Sequence, residues 1–165
     1  KKISDSVVKR VEYVSTILES DLNALIPKEY LENDTERLNI YKRLYDIKGL
    51  PDLIPLKAEL EDRFGKYGSE VENLFKQIEL KIIATEIGLE KIVINGKSIT
   101  LFFPFNKEHK IFESEFFNHI IEKLSSTKSK KYSFVNDDER LIMEIQLDSY
   151  EDEERLKELQ TILNL

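Results

Sequence analysis

The chain has no cysteine and no tryptophan, and only one methionine, two histidines, four prolines and five glycines among 165 residues. Without cysteine there is no disulfide and no thiolate chemistry, and the composition fits a reducing compartment. With so few glycines there is no GxxxxGK[ST] string and no dinucleotide fingerprint, so this stretch of chain has no phosphate-cradling loop of its own. No apolar run approaches the roughly 18 residues a transmembrane helix needs. The start carries no apolar segment of signal-peptide type. It opens at Lys1-Lys2 without methionine, as expected either of a fragment of a longer polypeptide or of a chain with residues missing.

Charge is plentiful. Charged residues make up 35% of the chain against 41% hydrophobic, and the formal net charge is -7. The apolar residues are periodic, so the charge coats a folded surface rather than signalling disorder. An acidic surface repels phosphate backbones and favours a basic protein partner. The length suits one domain. Residues 1–12 read as a linker or approach segment and 13–165 as the domain, helical over about 24–88 and built of hairpins and helices over about 89–165.

Tyr13 to Leu18 is rich in β-branched residues and is a candidate strand. A first helix starts at Asn33, with Glu36 three residues on as in a capping box, and stops at Gly49 and Pro51. A second is expected from an Asp52 N-cap, with Pro55 in its first turn and Leu53, Leu56, Leu60 and Phe64 as its stripe, to Gly65. A third is expected from Ser69, boxed by Glu72, to Gly88. The period then changes to two. Lys91 to Phe103 reads as a hairpin around Asn95-Gly96, with Ile92, Ile94, Ile99, Leu101 and Phe103 on one face. A helix over 113–124 can cover that face with Phe116 or Phe117, Ile120, Ile121 and Leu124. Ser125 to Lys131 reads as a flexible basic loop. A second hairpin joins Tyr132–Val135 to Arg140–Leu147 through a turn near 136–139, and a last helix from about Glu151 carries Leu156, Leu159 and Leu163. The class is α+β: a helical block followed by two hairpin-plus-helix units whose strands form a small antiparallel or mixed sheet under helices.

Chemistry-bearing patterns are sparse. Glu115, His119 and Glu122 share a helix face, as ligands can, but exposed Glu and His explain them more simply. Gly65-Lys66-Tyr67-Gly68 joins two helices as a GxxG nucleic-acid loop does, and equally as a helix cap followed by a turn. No serine lies in a nucleophile elbow. Catalytic, cofactor and metal residues are therefore assigned to none. Glu59 and Asp62 share a face of the second helix, and Glu59 with Arg63 makes an i, i+4 pair. Those charges suit either a solvated helix face or a protein-docking face.

Three strings carry a resemblance. Ile26-Pro27-Lys28-Glu29-Tyr30, then Arg37-Leu38-Asn39-Ile40-Tyr41-Lys42-Arg43, then Glu59-Leu60-Glu61-Asp62-Arg63-Phe64-Gly65 resemble the C-terminal domain family of bacterial transcription-repair coupling factors. Val71, Asn73, Leu74, Phe75 and Gly88 continue it, and it is specific over about 24–94. One departure is Gly68, where the family usually has proline shortly after Phe-Gly.

The resemblance implies a non-catalytic regulatory domain of an ATP-driven DNA translocase in transcription-coupled nucleotide excision repair. It implies docking on the N-terminal module of the same polypeptide, which binds the excision-repair damage-recognition ATPase, so that motor and recruitment are autoinhibited. Glu59, Asp62 and Arg63 would lie at that contact. The parent would work with RNA polymerase and DNA in the bacterial cytoplasm, with ATP and magnesium confined to motor domains elsewhere, no cofactor here and no membrane partner. The alternative is a nucleic-acid-contacting accessory domain using Lys66, Lys128, Lys130 and Lys131 in its basic loops.

Overall fold

Every strand expected from period-two alternation ends in one sheet. The computed structural model describes residues 14–126, 131–135 and 137–165. The linker reading of 1–12, the candidate-strand residue Tyr13, Lys128, Lys130 and the turn residue Asn136 lie outside them.

The order is β1 (Ile17–Ser20), α1 (Asp34–Asp46), α2 (Leu50–Phe64), α3 (Ser69–Ile87), β2 (Lys91–Asn95), β3 (Ser98–Phe102), a 3-10 turn (Lys110–Glu113), α4 (Glu115–Ser125), β4 (Tyr132–Val135), β5 (Ile142–Gln146) and α5 (Asp152–Leu163). The strands lie β1-β2-β3-β5-β4, with β1 parallel to β2 and every other pair antiparallel. The class is α+β with a mixed sheet. The two hairpins join through β3 and β5, so they build a common sheet. The parallel pair β1–β2 needs a long crossover, and the whole helical block supplies it.

Register puts Ile92, Leu101 and Met143 in one row and Ile94, Ile99 and Ile145 in the next. All six are at most 1% exposed. Leu80 and Ala84 of α3, Phe116 and Ile120 of α4, and Leu156, Leu159 and Ile162 of α5 complete this core. A second core is built by α1 (Ile40, Leu44), α2 (Leu53, Leu56, Leu60) and α3 (Val71, Leu74, Phe75, Ile78, Ile82). At about 1.5 Å rise per residue, α3 is about 28 Å long, enough to take part in both. Thr16 fastens the start of β1 to the end of α3: its hydroxyl donates to the Leu89 carbonyl at 2.7 Å and its N–H to Thr85 Oγ1 at 2.9 Å.

Four local expectations are corrected. The first strand runs 17–20, because its register is set by pairing Ile17–Ser20 with Lys91–Ile94 rather than by its own β-branched run. The hairpin turn is Gly96-Lys97, with Asn95 opposite Ser98. Of the two turn residues only Gly96 has positive φ, at +55°, which spares Lys97 the left-handed conformation that a type I′ turn asks of both its central residues. The inward face is as expected, but the pairing is displaced by two. Helix α2 starts at Leu50 with Gly49 as its cap, so Pro51 lies in the first turn rather than ending α1, and Pro55 is inside the helix. Helix α3 has Gly68 at its N-cap and no side-chain cap, so Ser69 and Glu72 form no box. At α1 the Asn33 half of the box forms, its Oδ1 accepting from the Glu36 N–H at 2.9 Å, while the Glu36 carboxylate turns to Arg63.

Among the described residues one charged side chain is buried. Arg155 of α5 is 5% exposed. Its Nη1 donates to Asp21, just beyond β1, and to the Gly96 carbonyl at 3.1 Å, while Nη2 donates to Asp152 at 2.7 Å. Asp152 also accepts from the Asn23 N–H at 3.0 Å. The end of β1, the β2–β3 turn and the start of α5 therefore share one guanidinium.

Candidate docking surface

The three strings fold onto one another. The N–H groups of Tyr30 and Leu31 both reach the Pro27 carbonyl, closing a turn that buries Ile26 and Leu31. The turn sets the Tyr30 ring edge-on to Phe64 and Tyr67. The Tyr30 hydroxyl shares its single proton between the carbonyls of Leu60, at 3.0 Å, and Gly65, at 2.8 Å, in and just past the last turn of α2. Gly65 sits at φ 86°, ψ -175°, backbone that only glycine takes without strain. From α1, Arg37 donates to the Leu31 carbonyl at 2.8 Å and Tyr41 Oη accepts from the Ile26 N–H at 2.7 Å. Arg43 grips both oxygens of Glu59, at 2.8 and 2.6 Å. Much of the family-like pattern is thus a brace that fixes where the end of α2 points.

The three predicted contact residues do not behave alike. Glu59 is turned toward α1, and Arg63 joins it at 3.1 Å while also pairing with Glu36. The chain Arg43–Glu59–Arg63–Glu36 balances two positive against two negative charges. Hydrogen bonding to Arg43, opposed by desolvation and aided by Arg63, holds the Glu59 carboxyl at about 2 rather than 4.5. Asp62 is exposed and has no hydrogen bond or ion pair among the described residues, and Glu61 beside it is exposed too. Asp62 continues a row with Ile54, which is 70% exposed, and Ala58. Pro55 and Glu61 flank that row.

Sequence reasoning missed Arg43 and Glu36, because their partners lie 16 and 27 residues away on another helix. It also missed Ile54. The available signal was that Ile54 falls off the Leu53, Leu56, Leu60 stripe and so has no inward face to fill.

The other candidates are placed as follows. In the Gly65–Gly68 loop, Tyr67 packs at 5.5 Å between ring centroids on Phe75, leaving Lys66 outward. Lys131 pairs with Glu158 at 3.1 Å. His109 Nδ1 accepts from the Ile111 N–H at 3.1 Å, and its ring lies where a side chain on Gly88 would go. Among the described residues no group of three or more His, Asp or Glu is placed to hold a metal. No described helix is long and apolar enough to cross a membrane.

The Glu59 network makes a pH prediction. Its folded pKa lies below the unfolded one, so the stabilisation is present above pH 4.5 and is lost as pH falls toward about 2. Glu59 is about one-third exposed, at 32%, so solvent and salt screening hold the effect to about 1 kcal/mol or less. Urea melts of Glu59→Gln between those pH values should show a shallower acid decline than the native chain. An equal decline in both would mean that the network adds nothing.

Comparison with known proteins places this geometry. A family profile described as the TRCF domain matches residues 20–114. A transcription-repair-coupling factor of Staphylococcus haemolyticus is 39% identical over 82 residues, covering 50% of this chain and 7% of that protein. One of Staphylococcus aureus is 35% identical over 96 residues, covering 57% of this chain and 8% of that protein. The chain therefore spans under a tenth of these curated relatives. A crystal structure of the C-terminal domain of transcription-repair coupling factor matches with a TM-score of 0.71 at 20% identity, covering 92% of each chain, and so shares this fold.

Proposed function

Since this chain belongs to the TRCF domain family, which matches residues 20–114, we propose that it is a non-catalytic regulatory domain of a DNA translocase in transcription-coupled nucleotide excision repair. It docks through α2 on the N-terminal module of its own polypeptide, the module that binds the excision-repair damage-recognition ATPase. Docked, it masks that module and restrains the motor. A closed contact worth a few kcal/mol leaves the open state at about 0.1–10% until another ligand, such as a stalled RNA polymerase, favours opening. ATP, magnesium and DNA belong to the motor, and the setting is the bacterial cytoplasm.

The observation that carries this reading is the contrast along α2. Glu59 is used internally, while Asp62 has no ion pair among the described residues and shares an exposed row with Ile54 and Ala58, with Glu61 exposed beside it, on a helix braced by Tyr30 and Arg43. An apolar patch next to unpaired carboxylates suits a basic partner surface, where complementary charge sets register and an apolar anchor supplies affinity.

Calorimetry of this domain with the purified N-terminal module tests it. Asp62→Ala should weaken binding about tenfold with unchanged Tm, as expected for one interfacial charge pair. Glu59→Ala should also weaken binding, because it uncovers Arg43 and Arg63 beside the contact. Full affinity in the Glu59→Ala, Asp62→Ala double variant would remove α2 as the docking face. If the contact is too weak without the covalent tether, deleting the domain from the full polypeptide should raise ATPase activity and partner affinity.

A further inference from the structure

At one end of the sheet the chain leaves an open cleft of about 560 Å³, within the size range of sites that hold a small ligand or an inserted side chain with its neighbour. Three aromatic rings line it: Phe105 from the segment after β3, Phe112 from the 3-10 turn and Phe134 from the end of β4. Phe112 is anchored on Phe103, with ring centroids 6.1 Å apart. Phe105 and Phe134 are 50% and 54% exposed, so their apolar area has no cover among the described residues.

The turn between β4 and β5 adds carboxylates to the same cleft. Asp137 is occupied within the turn, where its Oδ1 accepts the N–H groups of Glu139 and Arg140. Asp138 and Glu139 are exposed, and their carboxylates have no hydrogen bond or ion pair among the described residues. Arg140 lines the cleft but is neutralised by Glu90 at 2.6 Å. That leaves Lys107 as the lining cation without an ion pair among the described residues, so the free charge of the cleft is acidic.

Rings and free carboxylates together narrow the ligand. A phosphate backbone is repelled by the carboxylates. A purely apolar segment would dehydrate them without a partner. A guanidinium meets both demands, because its flat face stacks on an aromatic ring while its N–H fork bonds carboxylates, and its aliphatic stem covers apolar surface. The protein already holds one arginine in this way at the same place. The Arg140 guanidinium lies 4.3 Å from the Phe105 centroid and 4.9 Å from that of Phe102, with Glu90 as its carboxylate.

We propose that this cleft is a recognition pocket for an arginine carried on an exposed loop of a protein partner. Phe105 and Phe134 take its stem and guanidinium face, and Asp138 and Glu139 take its N–H groups. The pocket lies on the sheet, apart from α2, and does not depend on the α2 reading. A second copy of this chain is a poor source of that arginine, since two bodies of net charge -7 repel.

The probe is a capped five-residue peptide with a central arginine between two valines, titrated into the isotopically labelled domain and followed by amide chemical shifts. Saturable shifts are expected at Phe105, Phe112, Phe134 and 137–141. Citrulline in place of the arginine keeps the shape, loses the charge and should weaken binding at least tenfold, with lysine falling between the two. Phe134→Ala, at a half-exposed position, should weaken binding about tenfold, as losing an aromatic anchor does. Asp138→Asn with Glu139→Gln, at exposed positions that leave the fold intact, should weaken it by a similar factor and flatten its salt dependence. Lysine binding as tightly as arginine, or shifts spread over all acidic surfaces, would overturn the proposal as mere charge attraction. Citrulline binding as tightly would overturn it in favour of an apolar occupant, and no shifts at the cleft would overturn it outright. Concentration-dependent dimerisation abolished by Phe134→Ala would give the cleft to a second copy instead.

Discussion

Replacing Arg155 with alanine is expected to cost about 3 kcal/mol, toward the low end for breaking a buried ion pair. The low end applies because Asp21 is 45% exposed and can rehydrate, whereas Asp152 is 25% exposed and is left with only the Asn23 and Asn73 donors. For a chain of this size the loss corresponds to a fall in Tm of about 6–12 °C. Burial works against the charged guanidinium, but its hydrogen bonds to Asp152 and Asp21 more than offset it and raise its pKa. Among the described residues the Nε has no hydrogen-bond partner. Arg155→Lys should fall between the two, since one ammonium cannot match the fork that meets Asp21, Gly96 and Asp152. The effect also carries a pH signature. Burial pushes the Asp21 carboxyl up, but the Gly96 N–H and Arg155 outweigh it and leave the pKa below 3.8. That stabilisation is present above pH 3.8 and is lost as pH falls below it, so Arg155→Ala should lose part of the acid decline as well as Tm. An alanine variant within about 2 °C of the native Tm would show that the three elements hold together without their shared cation.

Arg155 also marks the limit of what the sequence made legible. The faces of β2, β3 and β5 were readable because period-two alternation reports burial directly, and all of Ile92, Ile94, Ile99, Leu101, Met143 and Ile145 point inward. The stripes of α2 and α5 were readable for the same reason. Nothing in the run Asp152-Glu153-Glu154-Arg155 marks its arginine as buried, since that fate depends on Asp21, 134 residues away. Caps failed where competition decided them. Ser69 lost the N-cap to Gly68, and Asp52 lost it to Gly49, because each helix already includes the expected capping residue and the residue before the helix is in extended backbone with no side chain to cap with. At the candidate site, the i, i+4 pair of Glu59 and Arg63 was visible in sequence. The stronger bond to Arg43 was not, and it separates Glu59 from Asp62, which spacing alone had put on one footing.

That separation makes the second large effect informative. Leu60→Ala is expected to cost about 2–5 kcal/mol, because Leu60 is fully buried between α1 and α3 and the braced helices around it can collapse only partly onto the void. Against a total stability of about 5–15 kcal/mol for a domain, that is enough to populate unfolded chain near physiological temperature. Helix α3 belongs to both cores, so the loss should lower a single urea transition, seen alike by circular dichroism and by tyrosine fluorescence. Two separated transitions would instead show that the helical block and the sheet unfold as independent units. The binding readout should differ in kind from that of Asp62→Ala. In Leu60→Ala the folded molecules keep the α2 surface intact, so calorimetry at low temperature should give native affinity with a reduced active fraction. In Asp62→Ala every molecule is folded and affinity itself falls. If Leu60→Ala lowered affinity while the active fraction stayed whole, the string Glu59 to Gly65 would be acting on docking through its shape, and the division into a buried brace and an exposed contact would be wrong.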